Sequence, residues 1–308
     1  MRSSLAKPII ALVVVLVVIG IGSFVFFGLQ KKKVVPPPAA PVVENRGPQR
    51  EIIGRSVEKR VIESYTYGTG AKHLVFVGGV HGGYEWNSVL LAYRFLDYLD
   101  AQIAATTASA AGGAANTPAF PAGLTITVIP SLNPDGVYAA TGKEGRFAAS
   151  DASKDTALLA SARFNANKVD LNRNFDCKWS PDGTWQNKKV STGSAAFSEP
   201  ESVALRDFVL AKKPDAVIFW HSQASAVYAS ECKDGILPAT LDIMNAYSRA
   251  AGYAAVKSFD AYPVTGDAEG WLASIGIPAI TVELTTRQDI EWDRNLAGIK
   301  ALLQYYGK

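Results

Sequence analysis

Residues 75–87 read VFVGGVHGGYEWN. An apolar, β-branched run meets one glycine pair, then a histidine, a second glycine pair and a glutamate four residues past the histidine. The chain has three histidines in 308 residues, so one placed at a glycine-softened strand end calls for an explanation. The pattern allows two. It is a β-to-α turn in which His81 and Glu85 are incidental, or it is half of a metal site, since imidazole nitrogen and carboxylate oxygen are ligands of hydrolytic zinc. A lone His-x-x-x-Glu does not decide between them.

Outward from this stretch, short β-branched runs alternate with longer amphipathic ones. Strands are expected at 73–80, 124–131, 215–222 and 279–286, and helices at 86–103, 199–212, 237–251 and 292–306. Val89, Tyr93, Leu96 and Leu99 or Tyr98 recur at helical spacing and predict a face that packs on the sheet. The alternation predicts an α/β fold: a mixed, largely parallel twisted sheet with helices on both faces. In SEPES (198–202), Ser198 is expected to cap a helix with Pro200 in its first turn. Residues 106–123 are small and nearly charge-free, and are expected to form a surface loop.

The formal charge of +3 is misleading as a whole-chain figure. Five of the 31 basic residues lie in residues 1–33, which contain no acid, and the remainder holds 26 basic against 28 acidic residues. That balance gives no electrostatic basis for nucleic-acid binding. The basic excess flanks residues 9–29, an uncharged apolar run that spans about 31 Å as a helix, enough to cross a hydrocarbon core. Residues 1–33 are therefore expected to be an uncleaved membrane anchor, the alternative being a cleavable signal peptide, whose apolar region is usually shorter and ends in a small-residue cleavage site. Residues 34–50, beginning VVPPPAAP, form a stiff proline-rich tether, and residues 51–308 one folded domain. Basic residues on both sides of the apolar run leave the orientation open. Cys177 and Cys232, an even pair, favour an extracytoplasmic domain in which they can join as a disulfide; two buried thiols are the alternative.

Three expected strands end in residues capable of chemistry: His81, His221 and Glu283. Open α/β sheets gather ligands beyond the carboxyl ends of their strands. Zinc hydrolysis needs three protein ligands and an open position, which His81, Glu85 and His221 would supply, together with a carboxylate off the metal, for which Glu283 is suited.

Taken together, the motifs HGGYEW, NPDG (133–136), RFNANKVDLNRNF (163–175), FSEPES (197–202), WHSQ (220–223), YPVTGDAEGW (262–271) and TVEL (281–284) resemble the zinc metallocarboxypeptidases of the carboxypeptidase A superfamily. They follow that family's order over residues 65–300. The resemblance implies one Zn²⁺ held by His81, Glu85 and His221, with Glu283 as general base. Arg163 would steady the oxyanion (Arg146 being the alternative), Asn172 and Arg173 would grip the substrate carboxylate, and Tyr262 would close over it. Glu269, seven residues past Tyr262, matches the selectivity position and would favour a cationic terminal side chain, as would Asp267. The family spacing is His-x-x-Glu; here one residue more separates the ligands, which two glycines can absorb through positive φ. Asp135 is expected to order the loop or a ligating histidine, and His73 to be a solvated edge residue. YPVTGDAEGW is similar to murein-peptide amidases, so the implied substrates are peptides or cell-wall peptides. A zinc deacylase of N-acyl amino acids and a non-catalytic wall-peptide-binding module are the other readings.

Overall fold

The computed structural model of the chain describes residues 48–110 and 120–308. The expected anchor at 9–29 and nearly all of the tether lie outside them. No helix among the described residues is long and apolar enough to cross a membrane. In chain order the strands are β1 Gln49–Arg55, β2 Val61–Tyr67, β3 Lys72–Val77, β4 Leu124–Ile129, β5 Gly183–Trp185, β6 Lys188–Val190, β7 Ala216–Ser222, β8 Ala226–Ala229, β9 Ala254–Val256 and β10 Ala279–Leu284. The helices are α1 Trp86–Ala110, α2 Pro134–Thr141, α3 Thr156–Ser161, α4 Pro200–Lys212, α5 Pro238–Ala251, α6 Ala268–Ser274 and α7 Trp292–Tyr306.

Eight strands make one mixed sheet in the order β1-β2-β4-β3-β7-β10-β8-β9. Its centre, β4-β3-β7-β10, is parallel throughout and consists of the four strands expected from the sequence. Parallel strands covered on both faces read as near-continuous apolar runs, which is why these four stand out. Alternate residues serve two cores. Leu74, Phe76, Ile218, Trp220, Ile280 and Val282 pack with α1, α5 and α7, whereas Val75, Val77, Val217 and Phe219 pack with α4 and α6. Phe76 sits 4.9 Å from Phe95 of α1 and 5.3 Å from Trp220. Val89, Tyr93, Leu96 and Leu99 are all buried in the first core, as their spacing predicts.

Two local expectations need correction. α1 runs on to Ala110, so the segment expected to loop from residue 106 begins as helix. The N-cap of α4 is Glu199, not Ser198, and its side chain makes no capping bond. The Glu199 carboxylate is instead taken by Asn165 and Asn167, at 2.7 and 2.8 Å, while Pro200 opens the helix with its fixed φ.

Candidate metal centre

The turn after β3 brings His81 and Glu85 to one point. Gly82–Glu85 forms a single 3-10 turn, which takes up the extra residue between the two ligands. Gly82 has φ +44, and a Cβ there would lie 2.7 Å from the Ala162 carbonyl; at Gly83 it would lie 2.1 Å from the Ala140 Cβ. One glycine thus supplies a left-handed backbone and the other a close approach to α2. His81 Nδ1 then lies 2.9 Å from Glu85 Oε1. β7 delivers His221, whose Nδ1 is 3.0 Å from His81 Nδ1 and 2.9 Å from Glu85 Oε2. All three side chains are buried. On the adjacent parallel strand Glu283 pairs in register with His221 and so emerges on the same side of the sheet.

This donor set fits a zinc ion. The atoms of His81, Glu85 and His221 converge within coordinating range of one another, and two imidazoles with one carboxylate are a usual catalytic set. The outward nitrogens support the same assignment. His81 Nε2 and His221 Nε2 are buried without a hydrogen bond, yet each faces a carboxylate, Asp170 Oδ1 at 3.5 Å and Glu269 Oε1 at 3.3 Å. A carboxylate behind each ring favours the Nε2–H tautomer and turns the Nδ1 lone pairs inward. Burial would raise the Glu85 carboxyl, but His81 and His221 hold it far below the usual range.

A cleft of about 400 Å³ opens over this centre, lined by Arg163, Asn172, Arg173, Tyr262, Glu269 and Glu283 among others. Burial, then the Glu85 charge, pushes the Glu283 carboxyl up to about 8, and its Oε2 is enclosed without a partner. Arg163 is buried and donates from Nε and Nη2 to Asp170 Oδ2, at 3.0 and 2.9 Å. Arg173 donates from Nε and Nη2 to the Thr184 carbonyl and from Nη1 to the Asn172 carbonyl, which leaves one hydrogen free on each Nη. Asn172 accepts from the Ala268 amide at 2.9 Å. Tyr262 is half-buried against Phe259, with ring centroids 4.8 Å apart.

Glu269 lines the cleft but is already engaged, accepting from Thr281 Oγ1 at 3.1 Å besides facing His221. Asp267 caps α6 through the Gly270 amide. Burial, then the Glu269 charge, raises it to about 6. Arg146 lies away from the cleft, paired with Asp97 at 2.8 Å, whereas Arg163 lines it. Asp135 orders no histidine; it accepts from Ser56 Oγ, the Glu58 amide and Arg60 and so ties α2 to the β1–β2 turn. His73 is half-buried, not solvated, with Nε2 2.8 Å from Thr127 Oγ1. Cys177 and Cys232 are joined as a disulfide, and Cys177 borders the cleft. Sequence reasoning did not identify Asp170 as the partner of His81. The signal was its place two residues before Asn172 and three before Arg173 in VDLNRNF.

Comparison with known proteins agrees with this geometry. The sequence profile of the family described as "Zinc carboxypeptidase" matches residues 44–292. The gamma-D-glutamyl-L-diamino acid endopeptidase 1 of Lysinibacillus sphaericus is 25% identical over 245 residues, covering 75% of this chain and 59% of that protein. Murein peptide amidase A of Vibrio campbellii is 30% identical over 154 residues, covering 46% of this chain and 58% of that protein. The chain therefore spans under two thirds of either relative. Among solved structures, the murein-tripeptide amidase of Escherichia coli O157 superposes with a TM-score of 0.56 at 21% identity, over 88% of this chain and 96% of that one. Carboxypeptidase A of Helicoverpa armigera gives a TM-score of 0.63 at 19% identity, over 85% and 69%; at such identities the likeness concerns the fold. With His81, Glu85 and His221 converging at the strand ends and the profile covering most of its length, the chain belongs to the zinc carboxypeptidase family.

Proposed function

We propose that the protein is a zinc-dependent carboxypeptidase that removes the C-terminal residue from cell-wall peptides, and that residues 1–33 tether it to the membrane with its catalytic domain outside the cytoplasm. The observation that carries the enzymatic part is the convergence of a metal-ligand triad, a free carboxylate and two arginines in one cleft. The wall substrate is supported by the names of the two relatives, a γ-D-glutamyl-L-diamino acid endopeptidase and a murein peptide amidase.

Zinc held by His81, Glu85 and His221 would act as a Lewis acid that acidifies a water and polarises the scissile carbonyl. Glu283 takes the proton of the attacking water and passes it to the departing amine, so that one carboxylate serves as base and then as acid. Arg163, fixed by Asp170, stabilises the negative charge that develops on the carbonyl oxygen. The remaining donors of Arg173, with Asn172 beside them, hold the terminal carboxylate as a fork. Tyr262 closes the cleft over the terminal residue. Glu269, buried, and Asp267, half-buried, both line the cleft, and the repulsion between these two acids is relieved by a cationic partner. A lysine, arginine or diaminopimelate end would supply it.

A panel of peptides ending in Lys, diaminopimelate, Glu and Phe, run beside N-acyl amino acids and read by mass spectrometry, tests this reading. Release of a basic or diaminopimelate end is expected. Cleavage of N-acyl amino acids alone would make the protein a deacylase. A preference for Phe that persists in Glu269→Ala would remove the basic-pocket assignment.

A further inference from the structure

One wall of the cleft is a run of contacting cations and aromatic rings. Arg173 donates to the carbonyl of Thr184. The next residue, Trp185, lies 4.6 Å beneath the Arg163 guanidinium and meets Tyr84 edge-on at 5.1 Å. The Arg287 guanidinium lies 4.0 Å over the Tyr84 ring. This order gives the wall a direction. A substrate with its terminal carboxylate at Arg173 and its scissile carbonyl at Arg163 extends its next residue, on the acyl side, past Tyr84 towards Arg287.

Arg287 differs from the other two arginines. Arg163 is committed to Asp170, and Arg173 to backbone carbonyls. Among the described residues Arg287 donates no hydrogen bond, and its Nε is buried without a partner. Its loop is nonetheless pinned. Asn87 of α1 donates to the carbonyls of Thr286 and Asp289 at 2.7 and 2.9 Å, and Glu291 accepts from the Thr285 amide and hydroxyl. A half-buried guanidinium, seated on an aromatic face and held in place with its donors unspent, suits a planar anion.

We propose that Arg287, seated on Tyr84, is a specificity residue that receives a carboxylate carried by the substrate residue on the acyl side of the scissile bond. The inference rests on the carboxypeptidase reading and narrows its substrate class. The carboxylate has two chemical sources: the side chain of an α-linked acidic residue, or the free α-carboxylate of a γ-linked glutamate.

Four N-acylated dipeptides with a common C-terminal lysine separate them: α-linked Glu, α-linked Gln, γ-linked Glu, and γ-linked Glu with its α-carboxylate amidated. The zinc-loaded full chain and its Arg287→Gln variant are compared by the ratio of kcat/KM for each acid to its amide. The wild-type ratio is expected to be roughly tenfold to a hundredfold in one linkage, the size of a charge-assisted hydrogen bond, and that linkage identifies the source. In Arg287→Gln it is expected to fall to within about threefold. A wild-type ratio near one, or a variant that keeps the preference, overturns the proposal. Wild-type protein also decides alone, should the variant not fold. N-acyl-glutamate is compared as an inhibitor with N-acyl-glutamine for the α linkage and with N-acyl-isoglutamine for the γ linkage, so that each amide removes only the carboxylate meant for Arg287. One of them is expected to bind at least about tenfold more weakly, and parity with both counts against Arg287. If none of the four is cut but the peptide panel shows another preferred end, the same four acids and amides are compared with that end; if no peptide of any end is cut, the carboxypeptidase reading falls as well. If all four are cut at one rate, only the Arg287 assignment falls.

Discussion

At the scale of single residues, the centre separates groups that would hold the metal from groups that would move protons or hold the ligands. Glu283 is expected to belong to the second class. Glu283→Gln keeps the shape, so it should bind zinc as the wild type does while losing roughly 10²–10⁴-fold or more in rate. Normal turnover in that variant would end the general-base assignment. Glu85 is expected to belong to the first class, and Glu85→Ala should leave the purified protein without zinc by elemental analysis. Retention of a full equivalent would place the third ligand elsewhere. Asp170 stands between the classes, with Oδ1 facing His81 Nε2 and Oδ2 bound by Arg163. Asp170→Asn should weaken zinc binding by roughly 10–100-fold in chelator competition. An unchanged affinity would reduce Asp170 to a partner of Arg163.

At the scale of elements, the decisive unit is the turn from β3 into α1. A side chain at Gly83 would meet the Ala140 Cβ at 2.1 Å and the Gly136 carbonyl at 2.6 Å, and neither α2 backbone nor a Cβ can swing aside. Gly83→Ala is therefore expected to cost about 1–3 kcal/mol through overpacking, although alanine lowers the entropy of the unfolded chain. Thermal melting with zinc titration checks this. An unchanged melting temperature and full zinc content would mean that the turn yields more than its packing implies. The four central strands were legible because both their faces are buried, so their sequences are almost uniformly apolar. β1 was not, since its residues are largely exposed and Ile52 is 53% accessible. β8 and β9, at four and three residues, are too short to show a period.

At the scale of the whole molecule, the disulfide joins segments 55 residues apart. It links the loop after Asn172 and Arg173 to the segment after β8, both at the cleft. Replacing both cysteines with serine is expected to cost about 2–4 kcal/mol, mainly by freeing the unfolded chain, measured as a lower denaturant midpoint. Equal midpoints for the two proteins would show that packing alone holds these segments.

The sequence by itself determined the parallel centre of the sheet, the main helices and the set His81, Glu85, His221 and Glu283. The strands and helices announce themselves locally, as apolar runs or a helical period, whereas the four site residues were legible only through the motifs taken together. Only the tertiary structure decided what stands behind those residues. Asp135 turned to Ser56 and Arg60 instead of a histidine, and Asp170 and Glu269 came to face the two imidazoles. Arg287 came to rest on Tyr84, 203 positions earlier in the chain. Such partnerships depend on how the loops at the strand ends pack against one another. A carboxylate or a guanidinium in a loop has no periodic neighbours in sequence, so nothing local reveals which charge it will meet.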